Sequence, residues 1–112
     1  MDAKDFASWG VDLLKYDYCN APAGRVEAME RYAKMGKALR ATGRSIVFSV
    51  CEWGEREPWK WAKQVGGHLW RVSGDIGDVW DREANRMGGL RGILNILEIN
   101  APLNEYAGPS GW

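Results

Sequence analysis

The feature that most restricts the fold is an alternation of short apolar segments with longer segments of mixed polarity. The apolar segments cover residues 11–16, 45–50 and 69–73, and the middle one, SIVFSV, is β-branched and aromatic with no charge. Such a run is typical of a strand that is buried on both faces, as in a parallel sheet. Because parallel strands need long crossover connections, the alternation predicts an α/β fold.

The connecting segments carry helical patterns. Residues 2–8 predict the end of a helix that Gly10 stops, and apolar residues at spacings of three and four predict a long helix that begins at Arg25 and ends near Gly43. The apolar face of this long helix comprises Val26, Met29, Ala33, Gly36 and Leu39. Three further elements are expected: a short helix over 57–65, a helix over 78–87 with Asp78 as its N-cap, and an extended last piece, EYAGPSGW. The predicted order is therefore β-α-β-α-β-α-β.

The chain is short for a complete fold of this kind. Its 112 residues make a single segment, and a parallel sheet of three or four strands leaves two strand edges without partners. No glycine-rich phosphate loop follows the first strand, which disfavours a dinucleotide-binding sheet. We therefore predict a partial (β/α)8 barrel, about half of the barrel, with three to four parallel strands and intervening helices. The bare edges favour a homo-oligomer or membership of a larger protein.

The composition argues against several kinds of partner. Fifteen Lys and Arg residues balance fifteen Asp and Glu residues, so we expect no nucleic-acid partner and no membrane surface. There is no apolar stretch of about 18 residues and no charged-then-apolar leader, so we expect neither a membrane span nor a signal peptide. The seven tryptophans fit packing in a core or stacking on a sugar, and core packing is the more common role.

Charged residues follow the apolar part of each predicted strand. Side chains two apart share a face of a strand, so Lys15 and Asp17 continue one face of the first strand, and Arg71 and Asp75 do the same on the third. Glu52 lies just beyond the second strand. The active site of a (β/α)8 barrel lies at these carboxyl-terminal strand ends, so we interpret the charges as a polar pocket at the top of the barrel.

Two carboxylates of this pocket, Asp17 and Asp75, lie on strands that are separated by one other strand. Hydrolysis of a glycosidic bond needs such a pair, because one group attacks the sugar or activates water and the other protonates the leaving oxygen. Aspartates in βα loops are also common turn or cap residues, and spacing alone does not separate the two interpretations. Lys15 and Arg71 favour the pocket, since inward-facing cations rarely occur without an anionic partner or ligand.

Four motifs, ASWGVDLLKYDYCN, FSVCEWG, WRVSGDIGDVWD and YAGPSGW, closely resemble the central part of the α-galactosidases of glycoside hydrolase family 27. The resemblance runs in order over essentially all 112 residues. It implies a (β/α)8 barrel followed by an antiparallel β domain, and a retaining exo-glycosidase that acts on terminal α-D-galactosides. It also implies that Asp17 of KYD is the catalytic nucleophile and that Asp75 of RVSGD is the general acid/base.

The resemblance further implies the residues of the sugar pocket. Those on or beside positions that line the galactose site are Lys15, Glu52, Trp53 and Arg71. The Trp of CEWG is where the family senses the sugar's 2-position, and a bulky side chain there favours a hydroxyl over an N-acetyl group. Enzymes of this family are typically secreted, periplasmic or lysosomal, which leaves the compartment of this chain undefined.

Some parts of the family pattern differ or are missing. Ser110 replaces a glycine in AGPSGW, and the sequence stops at Trp112, before the family's NDPD segment, whose aspartate binds the sugar. The first three strands and the C-terminal domain of the family are expected to be absent as well. The expectation is therefore half a barrel that holds both catalytic acids and only part of the substrate pocket.

The chain has too few cysteine and histidine residues for a structural zinc site. A structural zinc site needs four ligands, and Cys19, Cys51 and the single His68 do not supply them, so no metal site and no cofactor are predicted. The residues alone leave two buried thiols or one disulfide. The resemblance implies the disulfide, because the family bridges this pair. His68 precedes the third strand at the end opposite the carboxylates, so we expect it to be structural or exposed.

Three hypotheses about function follow. The first is the catalytic core of an α-galactosidase, with full activity only in a parent protein. The second is a non-catalytic sugar-binding or interaction module, and the presence of both Asp17 and Asp75 argues against it. The third is a self-associating structural barrel fragment with no catalytic activity, which the sequence does not separate from the first.

Overall fold

The structure is a computed structural model that describes residues 2–82 and 90–108. Its helices and strands, in chain order, are α1 (Asp2–Ser8), β1 (Leu13–Asp17), α2 (Arg25–Arg40), β2 (Val47–Cys51), β3 (Leu69–Trp70) and α3 (Ile93–Asn100). Short 3-10 helices cover Pro58–Lys60, Ala62–Val65 and Ala101–Tyr106. None of the described helices is both long and apolar enough to cross a membrane.

The three strands form one parallel sheet in the order β1-β2-β3. Asp17 at the end of β1 is the register partner of Cys51 at the end of β2, and Val50 is the partner of Trp70. The strands therefore finish at one common edge, which we call the carboxyl-terminal edge. The predicted α/β fold with parallel strands and intervening helices is confirmed.

The two faces of the sheet have different surroundings. Phe48 and Val50 are fully buried on one face, where Tyr32 of α2 packs against the Phe48 ring at 6.1 Å between ring centroids. Each such apolar side chain contributes about 1.5–3 kcal/mol on burial. On the opposite face, which we call the bare face, Leu13 is 53% exposed and Val47 is 40% exposed. Because side chains alternate along a strand, the bare face of β1 also carries its charged residues.

The second crossover is built differently from the predicted single helix over 57–65. Glu57 has a left-handed backbone (φ +53°), Pro58 begins the first 3-10 helix, and Gly66 closes the second with φ +87°. The backbone breaks between the two short helices at Trp61, whose side chain is buried and donates from its indole N–H to the Arg56 carbonyl at 2.8 Å. Core packing of the indole thus replaces regular α-helical geometry.

In the last third of the chain two predictions need correction and one helix was not predicted. Residues 78–82 are not helical, and the rest of the predicted helix over 78–87 lies largely outside the described residues. The helix α3, which follows Gly92, was not predicted. The predicted extended piece covers residues 105–112; its first two residues lie in the 3-10 helix Ala101–Tyr106, residues 107–108 are not helical, and 109–112 lie outside the described part of the chain. Among the described residues, the sheet therefore has three parallel strands. One further parallel bridge, between Ile76 and Arg91, lies outside these strands.

Candidate active site

The end of β1 presents Lys15 and Asp17 on the bare face, where both are exposed. The Cys51 thiol lies on the neighbouring strand, at the register position of Asp17. Burial raises the pKa of this thiol to about 11, the interaction with Asp17 and its negative charge add to the rise, and the positive charges of Lys15 and Arg71 oppose it. Lys15, Asp17 and Arg71 therefore all lie within electrostatic range of the Cys51 thiol.

The segment after β3 places the second carboxylate. Arg71 Nη1 donates to Asp75 Oδ1 at 2.8 Å, and the Arg71 backbone N–H extends the sheet by donating to the Val50 carbonyl at 3.1 Å. The Asp75 carbonyl accepts from the Arg91 N–H at 2.9 Å, which fixes the backbone that carries the carboxylate. Asp75 is 65% exposed, so the ion pair contributes at most about 1 kcal/mol to stability and mainly orients the acid.

Trp53 lies in a tight turn directly after β2. Its φ is +61° and that of Gly54 is +77°, and the Glu55 N–H donates to the Glu52 carbonyl across the turn. Two positive φ angles in the centre of a turn are typical of type I′, and a left-handed tryptophan costs of order 1–3 kcal/mol. Backbone strain of this kind concentrates at functional sites, which supports Trp53 as a candidate.

Gly54 holds the Trp53 turn against the segment after β3. A Cβ at Gly54 would lie 2.2 Å from the Val72 carbonyl oxygen, closer than any allowed contact. We expect Gly54→Ala to lower the free energy of unfolding by about 2–5 kcal/mol, because it combines left-handed strain of about 1–2 kcal/mol with a forced backbone shift. The difference is measured from urea unfolding midpoints of the two chains.

Gly43 provides the matched control for this prediction. Its φ is +76°, but a Cβ there meets no atom within 4 Å. Gly43→Ala should therefore cost only the left-handed strain, about 1–2 kcal/mol. Equal losses in the two variants would contradict the role assigned to the contact with Val72.

Glu52 lies inside the protein. Its side chain has no exposed surface, and its Oε2 accepts from the Arg56 backbone N–H at 2.9 Å and from Arg56 Nη1 at 3.1 Å. Burial raises the pKa of Glu52, while the bonds from Arg56 oppose the rise. Its Oε1 and the hydroxyl of Tyr18 are both buried without a hydrogen-bond partner in the described part of the chain. Contact between Glu52 and a sugar stays a prediction.

The predicted disulfide between Cys19 and Cys51 needs correction, because both cysteines are free thiols in the structure. Cys51 is buried at the end of β2, where Asp17 is its register partner. Cys19 lies two residues beyond that partner, in the loop after β1, and is exposed. The two thiols therefore have different surroundings, one exposed to solvent and the other buried beside Asp17.

The two thiols should differ in reactivity. At pH 8, in the folded chain, we expect Cys51 to be alkylated by iodoacetamide on the order of 10²-fold more slowly than exposed Cys19, because burial keeps it protonated. Mass spectrometry of tryptic peptides over time measures both rates, and chains unfolded in urea, which should label equally, are the control. Absence of labelling until reductant is added would contradict the free thiols.

The raised pKa of Cys51 also gives a pH dependence. The folded value, about 11, lies above the ordinary value of about 8.5 for a thiol. The protonated thiol is therefore the form that the folded state favours. Its contribution to stability is complete below about pH 8.5 and is lost as the pH rises toward 11.

Each of the two aspartates lines a different concave surface of the structure. A cleft of about 750 Å³ between β1, α1 and α2 is lined by Asp17 and Cys19, and another of about 520 Å³ beyond β3 is lined by Arg71 and Asp75. The two clefts share no lining residue. The described chain therefore places both carboxylates along the carboxyl-terminal edge without enclosing them in one pocket.

Two further predictions concern histidine and metals. The Nδ1 atom of His68 accepts from the Phe48 N–H at 3.0 Å, so this residue is structural at the start of β3, and its side chain is exposed. Among residues 2–82 and 90–108, no three His, Cys, Asp or Glu side chains are grouped closely enough to hold a metal ion.

Sequence reasoning missed Arg56, which bonds Glu52, Glu55 and the carbonyl of Ala23. The only signal in the sequence was its spacing of four from Glu52, which suits an ion pair in a helix but here spans an irregular turn.

The fold and the site together define a parallel α/β segment whose acidic and basic side chains gather where its strands end. A family model described as "Alpha galactosidase A" (Melibiase_2) matches residues 1–112. The chain therefore belongs to the α-galactosidases of glycoside hydrolase family 27, and the resemblance seen in its motifs is confirmed.

Relatives extend well beyond the matched segment. Alpha-galactosidase A of Cellvibrio japonicus (strain Ueda107) is 44% identical over 112 residues, which are 99% of this chain and 27% of the relative. A protein from Bacteroides fragilis NCTC 9343, assigned as an α-galactosidase, has a crystal structure that matches with a TM-score of 0.95 and 88% sequence identity. The match covers 98% of this chain and 24% of the Bacteroides chain. The α-galactosidase of Saccharomyces cerevisiae, solved with raffinose, matches with a TM-score of 0.87 and 31% sequence identity, over 98% of this chain and 27% of the yeast chain. The chain thus spans about a quarter of the length of these relatives.

Proposed function

We propose that residues 1–112 are the central part of the (β/α)8 catalytic barrel of a retaining exo-glycosidase that hydrolyses terminal α-D-galactosides. Asp17 is the nucleophile and Asp75 is the general acid/base. The observation that carries the proposal is the position of both carboxylates at the carboxyl-terminal edge of one parallel sheet, each accompanied by a cation. The relatives described above, which are α-galactosidases and one of which was solved with raffinose, support the substrate class.

The bare face of the sheet becomes the interior of the barrel in this proposal. Lys15 and Asp17 then point into the barrel, while α2 covers the outside, as in the arrangement observed for the described strands. Exposure of Leu13 and Val47 has the same explanation, because barrel interiors are filled by layers of apolar side chains below the active site.

The two acids divide the reaction between them. The Asp17 carboxylate attacks the anomeric carbon while the Asp75 carboxyl group protonates the leaving oxygen, which gives a glycosyl ester on Asp17 and a free alcohol. Water, deprotonated by Asp75, then cleaves this ester and restores both acids. Arg71 orients Asp75 through its 2.8 Å bond, and Lys15 supplies positive charge beside Asp17. Lys15, Glu52, Trp53 and Arg71 line or support the sugar site.

A grafted enzyme tests the proposal. Residues 1–112 replace the matching segment of the Bacteroides fragilis relative, which is 88% identical and therefore a near-native host. We expect hydrolysis of an aryl α-galactoside with the α anomer as first product, measured by proton NMR, and carboxyl groups roughly 5–5.5 Å apart in its structure. A β anomer as first product, or a separation beyond about 9 Å, would contradict the retaining mechanism.

Trp53 is the proposed determinant of specificity at the sugar's 2-position. In the grafted enzyme, Trp53→Ala should relax the discrimination against an aryl α-N-acetylgalactosaminide about 10-fold or more, because a clash with the N-acetyl group is removed. The measurement is the ratio of kcat/KM values for the two aryl glycosides. Trp9→Ala, which removes an exposed tryptophan after α1, should leave the ratio unchanged. An unchanged ratio in Trp53→Ala would limit Trp53 to packing.

A second candidate concerns the 112-residue chain by itself. Among the described residues, β1 and β3 each pair on one side only, and the bare face exposes Leu13 and Val47. Burying these edges and this face against a second copy would give a homo-oligomer that has no catalytic role. Light scattering tests this candidate: a dimer or higher assembly supports it, and a folded monomer would contradict it.

A further inference from the structure

Arg56 joins the loops that follow β1 and β2. Its Nε donates to the Ala23 carbonyl at 2.9 Å, in the loop after β1. Its Nη1 donates to the carboxylates of Glu52 at 3.1 Å and Glu55 at 3.0 Å, in the turn after β2. The guanidinium carbon also lies 4.9 Å from the centre of the Tyr18 ring, within the range of a cation–π contact. One side chain, 11% exposed, thus contacts both loops.

The backbone at Arg56 is fixed as firmly as its side chain. The Arg56 N–H donates to Glu52 Oε2 at 2.9 Å, and its carbonyl accepts from the indole N–H of buried Trp61 at 2.8 Å. Glu52 is completely buried, so removing the guanidinium would leave a buried carboxylate without its counter-charge. A link of this kind resists opening far more than an exposed ion pair does.

A second link between the same regions is weaker. Arg25, at the start of α2, forms an ion pair with Glu57, which also bonds Lys60. All three side chains are more than one third exposed, so each pair contributes at most about 1 kcal/mol. Arg56 is therefore the stronger of these two side-chain links, and it adds to the backbone hydrogen bond from the Tyr18 N–H to the Cys51 carbonyl at 3.1 Å.

Both loops begin directly beside residues of the proposed reaction. Tyr18, under the guanidinium, follows Asp17, and Glu52, which binds the guanidinium, precedes Trp53. We propose that Arg56 is a positioning residue that holds Asp17 and Trp53 in the relative geometry that the glycosidase reaction requires. This inference rests on the proposed function, and it adds a residue that touches neither reacting atom.

The experiment uses Arg56→Met in the grafted enzyme, because methionine retains part of the apolar stem without the donors. A misplacement of about 1 Å costs on the order of 10²-fold in rate, so we expect kcat to fall about 100-fold while KM changes less than about 5-fold. Arg56→Lys keeps the charge near Tyr18 and a single donor group, and should lose about 10-fold in kcat. Circular dichroism confirms that each variant is folded.

Arg44→Met is the matched control. Arg44 makes the same kind of connection at the opposite end of β1, where it donates to the carbonyls of Gly10 and Val11 and to the carboxylate of Asp12. This variant should lose stability and keep kcat within about twofold. Equal losses of kcat in Arg44→Met and Arg56→Met would overturn the inference, and so would an unchanged kcat in Arg56→Met.

Hydrogen exchange separates this inference from the proposed function. In Arg56→Met, amide exchange of residues 18–24 should be at least about 10-fold faster, since this segment loses the contacts with Tyr18 and Ala23. Exchange of the same segment should not change in Arg44→Met. If the grafted enzyme hydrolyses no galactoside, the proposed function and the positioning role in that reaction both fail. Faster exchange would then support only the connection between the loops, and unchanged exchange would contradict that as well.

Discussion

Asp17→Asn in the grafted enzyme is expected to lose nearly all turnover of an aryl α-galactoside, with kcat lowered by more than about 10⁴-fold. An amide of the same shape cannot form the glycosyl ester, and no other carboxylate on the bare face of β1 can replace it. The loss should be the same for substrates with good and poor leaving groups, because the attacking group itself is absent. The residual rate is measured with the purified variant in discontinuous assays with long incubation times.

Asp12→Asn is the control for Asp17→Asn. Asp12 lies just before β1, at the end opposite Asp17, where its exposed carboxylate pairs with Arg44 at 2.6 Å. The Asp12→Asn substitution removes one carboxylate near the same strand, and kcat should stay within about twofold of that of the unmodified enzyme. Turnover by Asp17→Asn at the unmodified rate would refute the assignment of the nucleophile.

Asp75→Asn should show a different pattern, in which the loss depends on the leaving group. General acid catalysis contributes about 10²–10⁴-fold, so hydrolysis of an alkyl α-galactoside should fall by that factor. A dinitrophenyl galactoside needs little protonation of its leaving oxygen and should form the glycosyl intermediate at a rate much closer to that of the unmodified enzyme. Pre-steady-state release of dinitrophenol measures this step separately from the later hydrolysis.

The leaving-group series is its own internal control, since both substrates contact the same variant. A loss that is equal for the two substrates would mean that Asp75 does not donate the proton. Arg71→Met, which removes the 2.8 Å bond to Asp75, should change the same series in the same direction but less strongly.

Strand order and the location of charge were predictable because they depend on short-range patterns. Apolar runs at 45–50 and 69–73 predicted β2 and the start of β3, and the two-residue repeat put Lys15 and Asp17 on one face. The predicted ends of β1 and β2 differ from the observed ends by up to about two residues, because the end of a strand depends on which neighbour supplies its hydrogen bonds.

Other features depended on contacts between residues distant in the chain, and the sequence pattern misled or gave no signal. The crossover over 57–65 was predicted as one helix, and burial of the Trp61 indole against the core divides it into two 3-10 helices. The pairing of Cys19 with Cys51 was predicted through the resemblance, whereas in the structure both are free thiols, Cys19 exposed and Cys51 buried.

The sequence by itself determined the parallel α/β class, the gathering of acids and bases at one edge of the sheet and the family, because each of these is encoded in alternation and in contiguous motifs. Only the tertiary structure decided that Glu52 is buried and that Arg56 connects the two loops beside Asp17 and Trp53. The physical reason is that a charge in an irregular turn has no periodic pattern. Its burial is stable only when the folded chain brings a counter-charge and a carbonyl 33 residues away to the same place.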